Sequence, residues 1–213
     1  MAEITDITLT KRGRYALFID GEFAFSVDDE TLVENHLKKG KILNDDDISA
    51  IRGQNDYRYA KQQALKLLSY KDYTSQMLVQ RLIQKEIDED SAVRAVKRME
   101  ELGLVNDLDY AMRCSRDLMN LKSWSTNRIK MELKRRLVPE YAIDEAIAQF
   151  DELDPEPKIA KIILKKYFRD LDTPKGKNRA AAGLCRLGYS PGQVFAVISN
   201  LLDDPDYYNE HDI

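Results

Sequence analysis

The chain repeats itself. Displaced by 51 positions, Tyr59-Ala60 falls on Tyr110-Ala111, Leu67-Leu68 on Leu118-Met119 and Tyr73 on Trp124. The same displacement puts Leu78 on Ile129, Leu82 on Leu133, Val96 on Ile147, Met99 on Phe150 and Glu101-Leu102 on Glu152-Leu153. Agreement of size and polarity over so long a gapless span marks an internal repeat. A looser third copy runs from Ile159 to Leu202, with Leu184 in the place of Leu133, Ser190-Pro191 in that of Pro139-Glu140, and Ile198 in that of Ile147. Whatever fold this chain adopts must therefore be a tandem array of one small unit.

That unit reads as three helices. In the first copy Ala60, Ala64, Leu67 and Leu68 share one face, Thr74 caps a helix carrying Leu78 and Leu82, and Ser91 caps a third with Ala92, Val96 and Met99 inward and Gly103 as its stop. In the second, Asn106 caps a helix bearing Tyr110, Ala111, Cys114 and Leu118, Ser125 opens one with Ile129, Leu133 and Leu137, and Pro139 sits in the first turn of the last. In the third, Pro157, Thr173-Pro174 and Ser190-Pro191 mark the starts, because proline lacks only an N–H that would be unpaired there. Gly188 ends the middle helix, and Asp204-Pro205 ends the last before a polar tail.

The first 27 residues follow a different period. Ile7 and Leu9, then Tyr15, Leu17 and Ile19, then Phe23, Phe25 and Val27 alternate with polar neighbours, with turns at Gly13 and at Asp20-Gly21. Asp-Gly between alternating runs is a strong hairpin signal, since both central residues need positive φ. The pattern predicts a three-stranded meander, covered by two short helices. The first lies between Asp28-Asp29-Glu30 and Lys38-Lys39-Gly40; the second is capped by Asn44, with Leu43 and Ile48 as a hydrophobic staple. Gly53 to Asp56 is the expected junction with the repeats. The predicted organisation is a 1–57 module, repeats at 58–105, 106–154 and 155–204, and a tail at 205–213.

Charge is distributed unevenly. The formal net charge is -4, but residues 113–136 carry 8 basic and 2 acidic side chains, and residues 158–186 carry 9 and 2. Residues 1–57 carry 7 basic and 12 acidic ones. Fields act over about 8 Å in physiological salt, so the patches count for more than the total. The candidate contact residues are Arg113, Arg116, Lys122, Arg128, Lys130, Arg135 and Arg136, with Lys165, Lys166, Lys175, Lys177 and Arg179. No apolar run reaches the roughly 20 residues of a membrane span, and the start lacks a signal-peptide pattern, so a cytoplasmic protein is expected.

No catalytic pattern is present: no glycine-rich phosphate loop, nucleophile elbow or paired-cysteine motif. His36 and His211 read as surface residues, Cys114 and Cys185 as reduced residues on apolar helix faces, and the acidic triplets as helix starts rather than metal sites. Tyr59, Tyr73, Tyr110, Trp124 and Phe150 recur with the repeat and read as packing, with base stacking as the alternative; Tyr70 and Tyr189 are less constrained, and either could face a partner. No enzyme activity, metal or cofactor is expected.

Glu101-Leu102-Gly103-Leu104-Val105-Asn106-Asp107 followed by Tyr110-Ala111 resembles the hinge between the first two repeats of the bacterial regulatory protein RecX family. So do Ala64-Leu65-x-Leu67-Leu68-Ser69 with Thr74 ahead of Leu78, Ile129-x-x-Glu132-Leu133, and Leu184-x-x-Leu187-Gly188-Tyr189-Ser190. The resemblance covers about residues 58–203 in order. It departs at Tyr73 and Met77, where members of the family often carry an arginine and a glutamate, so the first repeat lacks a capping box. It implies a mainly α fold of three tandem three-helix repeats in an elongated, curved array. It also implies a role, namely binding the RecA recombinase filament and restraining its growth, ATPase and strand exchange, as a monomer. Direct contact with single- or double-stranded DNA is compatible with the basic windows, and reversing three second-repeat charges is expected to weaken inhibition. Two other readings fit the helical unit. One is a helix-turn-helix regulator presenting Arg94, Lys97 and Arg98 to a major groove, since the 139–150 segment offers only acids; the other is a general protein-interaction scaffold.

Overall fold

The computed structural model describes residues 1–11, 13–150 and 153–204; Arg12, Glu152, His211 and the tail at 205–213 lie outside the described residues. Contacts divide the chain into two compact units, Met1–Val105 and Asn106–Ile213. Among the described residues no helix is long and apolar enough to cross a membrane.

The first unit opens on an antiparallel sheet of β1 (Ala2–Leu9), β2 (Tyr15–Ile19) and β3 (Glu22–Val27). Asp20 and Gly21 turn between β2 and β3 with φ of 51° and 88°, the pair of positive values the hairpin signal demands. Ile4, Leu17, Phe25 and Val27 point inward, whereas Leu9 and Phe23 at the strand ends are exposed. Register shifts between Ile4 and Asp6 and between Leu17 and Phe18 interrupt the simple alternation. After α1 (Asp29–Glu34), capped by Asp28, the chain turns at Gly40 (φ 84°) and adds β4 (Ile42–Leu43) beside Ala2-Glu3. The sheet thus has four strands in the order β3-β2-β1-β4, not three. Two residues are too few to show a period, so nothing in the sequence announces β4.

Nor are there two short helices. Helix α2 runs unbroken from Asp45 to Leu68, 24 residues, through the Gly53–Asp56 stretch where a junction is expected. An interior glycine costs only about 1 kcal/mol relative to alanine. Burial on both sides of Gly53 outweighs it: Ile51 packs beneath the sheet with Leu37 and Leu43, and Ala60 and Ala64 enter the core of the first three-helix repeat. Asn44 and Asp47 close a capping box at its start. The sheet is tied to α2 by polar contacts as well. Arg14 donates to the Ser26 carbonyl (2.6 Å) and to Asn55 Oδ1 (2.8 Å), the buried Asn55 amide donates to the same carbonyl (3.1 Å), and Arg14 lies over the Tyr59 ring at 5.0 Å. Arg58 reaches Glu34, Glu30 (3.5 Å) and Asp28 (3.9 Å) and holds α1.

Helices α3 (Ser75–Ile83, capped by Thr74) and α4 (Glu89–Glu101) complete the first repeat around Leu78, Leu82, Ala92, Val96 and Met99. The cap of α4 is Asp88, whose carboxylate accepts from Ser91 N at 2.9 Å; Ser91 itself is buried in the first turn. The α4 stop is a Schellman turn, with Gly103 (φ 69°) and Leu104 donating to the Glu100 and Met99 carbonyls.

The second unit holds two further repeats. One comprises α5 (Asp107–Lys122), α6 (Thr126–Arg135) and α7 (Glu140–Ala148), capped by Asn106 and Ser125 and preceded by Pro139. The other comprises α8 (Glu156–Lys166), a 3-10 turn at Phe168–Asp170, α9 (Pro174–Arg186) and α10 (Pro191–Asp203), the last two capped by Thr173 and Ser190. The period is kept in three dimensions: Leu82, Leu133 and Leu184 are fully buried, as are Val96, Ile147 and Ile198 to within a few per cent. Each middle helix is followed by one left-handed residue, at Glu86 (φ 65°), Leu137 (54°) and Gly188 (94°), again 51 positions apart.

The aromatic series packs as expected, with Tyr73 and Phe150 buried and Tyr59, Tyr110 and Trp124 half-buried against their cores. Tyr70 is exposed, but Tyr189 is not a partner-facing residue. It is buried in the third core and its hydroxyl donates to the Ser123 carbonyl at 3.2 Å; burial pushes its pKa up to about 12. Cys185 is likewise misplaced by the helical pattern: it is exposed, while Cys114 is half-buried, and both are free thiols.

A candidate cationic interface

The twelve candidate cations fall into two classes according to what already holds them. Most of the arginines face carboxylates of their own unit. Arg113 Nε pairs with Asp109 at 3.0 Å, one helical turn back. Arg135 grips Glu132 through two bonds of 2.8 and 2.7 Å, and Arg136 reaches the same carboxylate at 2.8 Å and the Tyr110 hydroxyl at 3.0 Å. The Arg135 hydrogen bond, aided by Arg136 against the effect of burial, holds the Glu132 pKa down to about 2. Burial works against the charge on Arg136, yet its hydrogen bonds to Glu132 and Tyr110 leave its pKa above the ordinary arginine value. The Cys114 thiol beside this cluster is pushed up by burial, partly offset by Arg136. Arg179 pairs with Asp170, Arg116 donates to the Met112 carbonyl at 3.2 Å, and the Arg128 guanidinium lies 4.0 Å above the Trp124 ring.

The lysines behave differently. Lys122, Lys165, Lys166 and Lys175 are exposed, and Lys130 and Lys177 are half-buried. Of these, the fold brings Lys165 and Lys166 into one cleft of about 630 Å³, together with Lys158 and Lys161, which the sequence reading passes over. Asn120, Leu121 and Ser123 from the end of α5 and Pro157 and Ile162 of α8 complete its walls. The signal for the two missed lysines was present: positions 158, 161 and 165 share one face of a 3.6-residue helix, opposite the buried Ile159, Ala160 and Ile163. Lys158 is anchored, its ammonium donating to the Met119 carbonyl, and burial lowers its pKa. Lys175 and Lys177 sit in the first turn of α9 and do not enter this cleft.

Two bases of the alternative recognition helix are engaged in the same manner as the arginines, while Lys97 is exposed. Arg94 pairs with Asp90 at 3.4 Å and lies over Tyr57, and Arg98 pairs with Glu101 at 2.8 Å.

Comparison with known proteins places these elements. Residues 2–44 match the regulatory protein RecX N-terminal domain, residues 60–99 the RecX first three-helix domain, and residues 106–147 the RecX second three-helix domain. The regulatory protein RecX of Bacillus subtilis is 30% identical over 216 residues, spanning 100% of this chain and 80% of its own. The chain belongs to the RecX family. The RecX of Limosilactobacillus reuteri is 28% identical over 217 residues, covering 100% of this chain and 82% of that protein. A crystal structure of a regulatory protein RecX superposes with a TM-score of 0.65 at 27% identity, over 94% of this chain and all of that one. RecX from Lactobacillus salivarius, at 23% identity and a TM-score of 0.61 over 70% of this chain, shares the fold. The chain is accordingly a member of a family of regulatory proteins, with RecX-type three-helix repeats behind a small antiparallel sheet.

Proposed function

We propose that this chain is a non-enzymatic, cytoplasmic regulator that acts as a monomer. In this reading it binds the RecA recombinase filament on single-stranded DNA and restrains filament growth, ATP hydrolysis and strand exchange. The observation that supports this most directly is the match along the whole chain to regulatory proteins named RecX, sheet and repeats together. The physics agrees with it. Weak contacts made by several repeated units to a periodic partner add through effective concentration.

The test is RecA ATPase on single-stranded DNA, titrated with this protein. Hydrolysis should fall at fewer than one copy per RecA. A folded preparation that leaves hydrolysis unchanged at equimolar ratio removes the reading.

A further inference from the structure

The cleft between the end of α5 and the outer face of α8 has a composition unlike the rest of the charged surface. Four of its lining side chains are lysines, and none of the described residues that line it is acidic. Among the described residues, no carboxylate comes within ion-pairing distance of Lys161, Lys165 or Lys166, whereas eight basic residues elsewhere pair with acids. Lys158 to Lys165 spans about 10 Å along the α8 axis at 1.5 Å per residue, so the charges form a row rather than a point. The apolar face of the same helix is locked in the third core by Ile159, Ala160 and Ile163, which fixes the row's direction. Lys158, bonded to Met119 O, ties the floor of the cleft to the end of α5.

We infer that this cleft binds the phosphate backbone of a nucleic-acid strand, without regard to sequence. Two features favour phosphate over an acidic protein surface. Lysine ammonium groups serve as point charges for phosphate, and a row of them suits a backbone whose charges repeat along its length. Arg113, Arg135, Arg136 and Arg179 of this unit are turned onto Asp109, Glu132 and Asp170, and the cations that line the cleft are lysines alone. No aromatic side chain lines the cleft, so bases have nothing to stack on and the contact reads charge alone. Exposed Leu121 forms one wall and Asn120 and Ser123 add neutral polar groups. The site shifts the expected contact surface away from Arg113, Arg135 and Arg136 to α8, and it adds Lys161.

The experiment is fluorescence anisotropy of a labelled oligo(dT) with the full chain across a salt series, with no recombinase present. The variants are Lys161→Gln/Lys165→Gln/Lys166→Gln and an equal-charge control in the first unit, Lys38→Gln/Lys39→Gln/Lys85→Gln. Each lysine contacting a single strand contributes about -0.7 to the slope of log affinity against log salt, so the cleft variant should lose about 2 units of slope. The control should keep the wild-type slope, and Lys→Arg at the three cleft positions should restore it. The inference is overturned if wild-type protein fails to bind oligo(dT) at low salt, which would point to an acidic protein partner instead. It is equally overturned if the cleft variant keeps the full slope or if the control loses as much. Because RecA is absent, failure here leaves the filament reading standing, and an ATPase result against that reading leaves this one standing.

Discussion

Gly188 occupies a position where two demands meet. Its backbone is left-handed, and a Cβ built on it would lie 2.4 Å from Ser125 Oγ and 2.6 Å from Arg128 Cβ. The equivalent Glu86 and Leu137 adopt the same left-handed turn with side chains in place, so φ alone does not require glycine. Close approach does, because here the end of α9 abuts the start of α6: Ser125 N donates to the Leu187 carbonyl at 2.9 Å, and the Tyr189 hydroxyl to Ser123 O. Gly188→Ala should therefore cost about 2–5 kcal/mol, a left-handed penalty of about 1–2 added to overpacking of about 1–3. Chemical denaturation checks it, and a loss of no more than about 1–2 kcal/mol, the left-handed penalty alone, would mean that Arg128 and Ser125 move aside at little cost. The glycine was visible in the sequence as a helix stop; its contact with Ser125, 63 positions earlier, was not.

At the scale of elements, α2 shows how burial decides where a helix ends. Asn44 starts it with a side-chain cap, as the sequence indicates, and no proline interrupts it. Local signals around Gly53 read as a break because glycine and polar residues cluster there. The helix continues because Ile51 and Ala60 are claimed by different cores and a continuous helix serves both. A Cβ at Gly53 meets nothing within 4 Å and its φ is not positive. Gly53→Ala should therefore stabilise the first unit by about 0.5–1 kcal/mol, read as a rise in thermal midpoint. A fall would show that Gly53 supplies a bend that α2 needs. Strand β4 teaches the complementary point. Its two residues pair only because Gly40 delivers them beside β1, with Gly40 N donating to Ile4 O at 2.8 Å and Ile4 N to Lys41 O at 2.9 Å.

For the whole molecule, the repeat period sets the cores. Among the described residues four hydrophobic clusters form, and each keeps to one side of the Val105–Asn106 division: those of the sheet and the first repeat before it, and those of the second and third repeats after it. No buried side-chain polar atom among the described residues lacks a partner. A fragment spanning residues 106–204 should therefore fold alone, with a helical circular dichroism spectrum and a cooperative unfolding transition. A non-cooperative melt would show that the second and third cores need the first unit. Charge at this scale is decided by internal pairing. The basic windows are visible in the composition, but only some of their cations are left without a carboxylate among the described residues, and of these Lys161, Lys165 and Lys166 share one helix and one cleft.

What the sequence determined by itself is whatever a local pattern can carry. Three copies of one helical brick, the caps at Asn44, Thr74, Asn106, Ser125, Thr173 and Ser190, the Asp20-Gly21 hairpin and the buried leucines all follow from spacing and residue type along a few turns of chain. Only the tertiary structure decided that Arg136 meets Tyr110, that Tyr189 is buried against Ser123 O, that α2 serves two cores, and that the lysines of α8 line a cleft. Those outcomes depend on distances between segments far apart in the chain, and a side chain's periodicity says which way it faces but not what will be there to meet it.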